Sequence, residues 1–371
     1  MASPVAYLDW NASAPVRAEA AAAVAEALAL AGNPSSVHRW GRRAHRMLKA
    51  ARNDAAALVG ARPENLVFTS GGTEANHLAL RGVAARRILV SSIEHDSVRE
   101  AVPDATVIPA TTRGQVDLAA LEAALAADRR PALVSLMLAN NETGVIQPVR
   151  EAAAIAHRAG ALLHCDAVQG AGKIAVDAAG LGADLLSLSA HKIGGSMGVG
   201  ALIVSDGVEL AAIQRGGGQE RGRRAGTENL PGIAGFGRAA VLAASTLAEA
   251  AQIAKLRDQA QVRLLAIAPE ARVFGAEAPR LPNTLCIAMP GVAASTQVMA
   301  LDLAGVMVSA GAACSSGKVR PSRVLAAMGA SPEDAANAIR ISLGWSTTQA
   351  EIDRLVEAWG ALYRRTRADA A

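Results

Sequence analysis

The chain is poor in three kinds of side chain. Of 371 residues only 3 are cysteine, 5 are lysine against 32 arginines, and 2% are aromatic. Cys165, Cys286 and Cys314 form no Cys-x-x-Cys pair, so neither a disulfide framework nor a zinc ribbon is expected. So sparse and odd a set fits a reducing, cytoplasmic setting. The few aromatics are not interleaved with the arginine clusters at Arg42-Arg43, Arg221 to Arg224 and Arg364 to Arg367. Stacking platforms for single-stranded nucleic acid are therefore not expected, and a net charge of +4 is mild for this length. The 7 histidines show no metal-ligand spacing. Met1 to Trp10 lacks a basic and apolar leader, so no secretory signal is expected. No apolar run reaches the roughly 20 residues that cross a bilayer, so no membrane partner is expected.

What is present is an alternation of helical and strand patterns. Short continuous apolar runs stand at Leu66 to Thr69, Ile88 to Ser91, Leu133 to Leu138, Ala161 to Cys165, Leu185 to Ser189 and Gly200 to Val204. Helical stretches stand at Val16 to Ala31, His38 to Leu58, Asn76 to Ala85 and Val149 to Ala159. Such strands predict an α/β fold with a mostly parallel sheet covered on both faces. From about Pro231 a long helical stretch runs to Ala266. Shorter strands follow (Thr284 to Ala288, Val306 to Ser309, Ala338 to Leu343), with helices at Ser322 to Met328 and Gln349 to Tyr363. They read as a second, α+β unit, with the boundary inside the long helix.

Two glycine-rich segments ending in lysine, Gly170 to Lys173 and Gly317-Lys318, resemble the end of a P-loop. Both lack its first glycine and the Ser/Thr after the lysine, so nucleotide hydrolysis is not indicated. No Gly-x-Gly-x-x-Gly follows the first strand, which argues against a dinucleotide enzyme.

Four strand-end segments carry chemistry instead. Ser70 to Glu74 joins a strand to a helix and offers backbone N–H groups and a hydroxyl to an anion. Asp166 sits at the carboxyl end of an apolar strand, where α/β sheets bind ligands. Lys192 leaves another strand end in Ser187 to Lys192, where burial would lower its pKa and free its amine. Cys314 lies in the Gly/Ala/Ser-rich stretch Ser309 to Gly317, unlike a cysteine used for packing. A lysine, an acid and an anion loop suit an aldehyde cofactor with a phosphate, namely pyridoxal 5'-phosphate.

Several longer segments then resemble the cysteine desulfurases, in the class V aminotransferase-like group of pyridoxal phosphate enzymes. They are Gly32 to His38, Thr69 to Asn76, Glu94-His95, Asn140 to Gly144, His164 to Gln169, Ser189 to Lys192, Gly216 to Asn229, Ser309 to Gly317 and Arg340 to Gly344. The resemblance implies fold type I. The large cofactor-binding domain would span 13–250, and 1–12 with 251–371 would form a small α+β domain carrying the cysteine loop. It implies Lys192 as the lysine that condenses with the cofactor aldehyde and then moves the substrate Cα proton. Asp166 would pair with the pyridine nitrogen, Gln169 with the ring hydroxyl, and His95 would stack on the ring and serve the substrate thiol. Gly72, Thr73, Ser189 and His191 would hold the phosphate, with Thr227 reaching over from the partner of a homodimer. Asn141 would orient cofactor and substrate, and Arg340 with Asn33 would bind the carboxylate of L-cysteine. Cys314, on a loop of the family's long type, would attack the substrate sulfur and keep it as a persulfide. Alanine would leave, and an acceptor such as an iron–sulfur scaffold protein would take the sulfur. A selenocysteine lyase or an aminotransferase of the same fold is the alternative. In Leu8 to Ala14 the chain departs from the family pattern: Trp10 places an indole near the expected cofactor mouth.

Overall fold

A computed structural model describes residues 5–310 and 322–368. Cys314 therefore lies outside the described residues.

Seven strands form the large sheet. Their spatial order is Leu66–Thr69, Gly200–Val204, Leu185–Ser189, Leu162–Asp166, Ala132–Met137, Arg87–Ser91 and Thr106–Ile108. All neighbours pair in parallel except Gly200–Val204, which is antiparallel to the strand on either side. Successive side chains of a strand face opposite ways, and both faces are buried here. Leu66, Phe68, Val134, Leu136, Leu163 and Cys165 enter one apolar cluster. Val67, Leu133, Leu185 and Leu202 enter another on the far side. This two-sided burial is why these strands read as unbroken apolar runs rather than as alternating ones.

Helices Ala18–Leu28, Arg39–Ala57 and Leu230–Ser245 cover the first face, largely through alanine. Small side chains let these helices approach closely. A Cβ on Gly237 would stand 2.6 Å from the Ala51 backbone. The helix Gly72–Gly82 covers the second face with Ala75, Leu78 and Ala79. It starts four residues earlier than the sequence suggests, at the glycine itself. The long helical stretch is interrupted: Leu230–Ser245 and Ala250–Ile267 are joined by a tighter 3-10 turn at Thr246–Glu249. By length and composition alone, Leu230–Ile267 is apolar enough to cross a membrane. However, 56% of its apolar window is buried inside the protein, where it packs on the helices just named.

A second sheet of four antiparallel strands has the order Ser309–Ala310, Ala338–Ser342, Thr284–Ala288, Arg272–Phe274. Beside it Ala6–Tyr7 pairs in parallel with Val306–Met307. Its core contains Leu264, Ile287, Ile339, Ile341, Leu355 and the fully buried Trp359, together with Ala6 and Leu8 from the start of the chain. The first strand thus packs with the last third of the chain. Residues Asp9 to Ala14 then cross back to the carboxyl ends of the large sheet, where Ala14 N–H donates to His191 O at 2.9 Å.

Candidate active site

The carboxyl ends of Leu162–Asp166 and Leu185–Ser189 lie side by side, with Asp166 in register with Ser187. The chain turns sharply after each. Beside them begins the helix Gly72–Gly82, and Asn11-Ala12 passes in front. Together these form a cavity of ≈ 320 Å³. Of the residues singled out from sequence, Gly72, Thr73, His95, Asn141, Asp166, Gln169, Ser189, His191, Lys192 and Arg340 all line it. Asn33 and Thr227 do not. Asn33 is exposed, and its side chain caps its own turn by accepting the Ser35 N–H at 2.8 Å. Thr227 is also exposed.

Asp166 is held from two sides. Its Oδ2 accepts from Asn76 Nδ2 at 2.8 Å and its Oδ1 from the Val168 N–H at 3.0 Å. Asn76 Nδ2 also donates to Ser97 Oγ at 2.8 Å, and Ser97 Oγ lies 2.8 Å from His95 Nδ1. The Ser97 N–H donates to the same ring nitrogen at 3.1 Å. His95 Nδ1 is therefore an acceptor and the ring proton sits on Nε2. Burial, followed by the positive charges of Lys192 and Arg323, lowers the His95 pKa against the pull of Asp166. His95 is thus a neutral imidazole near pH 7.

Lys192 ends the short turn Ala190–Lys192. Its Nζ donates to Asn11 O at 2.6 Å and Ala12 O at 2.9 Å, with no carboxylate in contact among the described residues. Burial first, then Arg340, brings its pKa down to about 8, against Asp166 and Asp9. An amine so poised is a nucleophile and a base near neutral pH. His191 is pushed down to about 4 by burial and by the cations of Lys192 and Lys173. It is therefore neutral at pH 7, a hydrogen-bonding group rather than a charge.

Arg340 comes from the second sheet. Strand alternation buries Ile339 and Ile341 in the apolar core and turns Arg340 the other way. Its Nη2 meets Asp9 Oδ1 at 2.7 Å and its Nη1 meets Asn141 O at 3.2 Å, while Nε is buried without a partner among the described residues. Asn141 is itself fixed by its neighbour. Asn140 Oδ1 accepts the N–H groups of Glu142 and Thr143, both at 2.9 Å.

Three residues of this site escaped the sequence reading. Asn11 is a hub: its carbonyl accepts from Lys192 and Gln169, and its side chain joins Lys173, Asn283 and Thr284. Asn76 holds Asp166, and Lys173 holds Gln169. The spacing of Lys173 four residues after Gln169 was the available signal. Trp10 departs from expectation. It is buried, its Nε1 donates to Tyr7 O at 2.9 Å, and its ring stands edge-on to Trp345 with centroids 4.5 Å apart. The indole therefore points away from the cavity. Among the described residues no group of acids, histidines and cysteines could hold a metal. His164 is buried between Ser135 Oγ and Ser187 Oγ, each 2.9 Å away.

Comparison with known proteins gives a consistent picture. The family model "Aminotransferase class-V" matches residues 6–355. A cysteine desulfurase of Cereibacter sphaeroides is 46% identical, covering 98% of this chain and 96% of its own. The solved structure of a NifS-like protein from Rickettsia africae is 35% identical with a TM-score of 0.91, over 97% of this chain and 100% of that one. The structure of SspA in complex with cysteine is 29% identical with a TM-score of 0.77, over 91% of this chain and 98% of that one.

Proposed function

The chain belongs to the class-V aminotransferase family and is a cysteine desulfurase, and from this premise we propose how its own residues carry the reaction. The observation that supports the assignment most is the convergence on one cavity of Lys192, Asp166, His95, Gln169 and Arg340.

That cavity suits pyridoxal 5'-phosphate. A Cβ on Gly72 would stand 2.9 Å from Val168 Cγ2, so only glycine leaves the floor open there. Among the described residues Asn76 Oδ1 and Arg340 Nε are buried without partners, as expected of groups that wait for a polar ligand. Thr73, Ser189 and His191 would hold the phosphate with the first backbone N–H groups of the helix Gly72–Gly82. Asp166 would keep the pyridine nitrogen protonated, and Gln169 would donate to the ring oxygen. When bound, the cofactor ring takes up electron density released at the substrate Cα.

Lys192 would hold the cofactor through its aldehyde, and its amine, poised near neutral pH, would take and return the proton at the substrate Cα. Arg340 binds the substrate carboxylate, for which a guanidinium fork is well shaped. His95 handles the proton of the substrate thiol through Nε2. Cys314 attacks the substrate sulfur as a thiolate. The new S–S bond forms as the Cβ–S bond breaks, its electron pair stays with Cβ, and protonation there yields L-alanine. Elimination supports Cys314, because burial raises the thiol pKa of Cys165 and Cys286 and keeps both protonated. The persulfide then passes to a sulfur-acceptor protein such as an iron–sulfur scaffold.

The exposure of Thr227 supports a homodimer in which it completes the partner's site; Asn33, expected beside Arg340, is likewise exposed. A wide groove of ≈ 1070 Å³ beside them, between Pro34 to Val37 and Gly218 to Arg223, could receive the second copy. We further assign 13–250 to a cofactor-binding domain and the remainder to a small domain that carries the cysteine loop.

The test is chemical. Protein loaded with pyridoxal phosphate, reduced with borohydride and digested should carry the pyridoxyl group on Lys192. Attachment to Lys173, or to neither, would overturn the reading.

A further inference from the structure

Lys173 has no role in the reaction as set out above, yet it stands half-buried beside the site, bonded to one of its lining residues. Its Nζ donates to Gln169 Oε1 at 2.5 Å and to Asn11 Oδ1 at 2.7 Å. No carboxylate contacts it among the described residues, and burial together with the cations of Lys192 and Arg340 drives its pKa well below that of a free lysine. Its donors thus meet two acceptors, Gln169 Oε1 and Asn11 Oδ1. Gln169, in turn, lines the cavity and donates Nε2 to Asn11 O at 2.9 Å. The same carbonyl accepts from Lys192 Nζ.

An amide can turn over and exchange its donor and acceptor ends at little cost unless something fixes it. Here an acceptor, the Asn11 carbonyl, holds the nitrogen end, and a donor, Lys173, holds the oxygen end. With Oε1 occupied, the hydrogen-bonding capacity left to Gln169 is its second N–H.

We propose that Lys173 is a positioning residue: it locks the Gln169 amide so that a donor, never an acceptor, is offered to the cofactor's ring oxygen. This rests on the pyridoxal phosphate reading. A donor there stabilises the deprotonated ring oxygen. Its negative charge is then less available to hold the proton shared with the Lys192 nitrogen, so the visible chromophore titrates at lower pH. Without Lys173 the amide can present its oxygen, and the oxygen's charge is left to that proton.

The experiment is a pH titration of the visible absorption of the loaded, full-length protein. Wild type is compared with Lys173→Met, Gln169→Leu and the double variant, with cofactor dissociation constants measured alongside. The midpoint in Lys173→Met should rise by about one pH unit, the effect of losing one hydrogen bond. Gln169→Leu should shift it by a similar amount, and the double variant no further. If Lys173→Met does not fold, Lys173→Leu, which also lacks a donor, replaces it, with an upward shift expected again. An unchanged midpoint in the lysine variant, or shifts that add in the double variant, would overturn the inference while leaving the cofactor reading intact. If wild type forms no visible chromophore with pyridoxal phosphate, the cofactor reading falls and the inference with it.

Discussion

Replacing Arg340 by lysine tests how the substrate carboxylate is held. The guanidinium is buried and already committed on two sides, at 2.7 Å to Asp9 Oδ1 and 3.2 Å to Asn141 O. Its Nε is buried and has no partner among the described residues. An ammonium can keep the Asp9 contact but not the fork. The Asp9 charge therefore stays paired, and the larger penalty of stranding a buried ion, about 3–5 kcal/mol, is avoided. What is lost is one charge-assisted hydrogen bond to the carboxylate, worth about 1.5–3 kcal/mol, or roughly 10- to 150-fold in affinity. The assay is spectroscopic binding to the loaded enzyme of L-cysteine and of cysteamine, which has the same amine and thiol but no carboxylate. The dissociation constant for cysteine should rise by that factor in Arg340→Lys, and that for cysteamine should hardly move. Equal losses for both ligands, or none for either, would refute the reasoning.

Other predictions follow from the same geometry. Burial raises the Glu94 pKa to about 8, with one oxygen of its carboxyl left without a partner. The folded state therefore keeps a proton that the unfolded state loses above pH ~4.5. Stability should fall with rising pH between those values, by at most ~1.4 kcal/mol per unit. Denaturation of Glu94→Gln at several pH values should give a flatter profile. Gly72→Val should abolish cofactor binding in equilibrium dialysis, since its side chain would meet Val168 and Ser189. Trp359→Ala, at a fully buried position in the core of the second sheet, should cost about 3–5 kcal/mol in chemical denaturation.

Much of the central sheet was legible because its strands are buried on both faces. Leu66–Thr69, Leu185–Ser189 and Gly200–Val204 stand where their apolar runs stand. Two strands that escaped notice, Thr106–Ile108 and Arg272–Phe274, are three residues long and lie at sheet edges, where exposed positions break the pattern; Ala6–Tyr7, also missed, is only two residues long. The helix at Gly72 was misplaced because glycine is a poor helix former, whereas its selection here follows from close approach to Val168. Asp166, Lys192 and His95 were legible as chemistry at strand ends and in motifs. Asn11 and Lys173 were not, because their partners lie far away in the chain or within an unremarkable glycine-rich turn. Trp10 misled for a related reason: an indole near the site in sequence is drawn off by Trp345, a contact that only the fold creates.

The central claim is that sulfur leaves L-cysteine by way of Cys314. Its most direct test is peptide mass spectrometry of the loaded enzyme after a single turnover with L-cysteine, without acceptor or reductant. One added sulfur is expected on the peptide holding Cys314, with one equivalent of alanine, and neither from Cys314→Ser. Added sulfur on Cys165 or Cys286, or full alanine release by the serine variant, would contradict it.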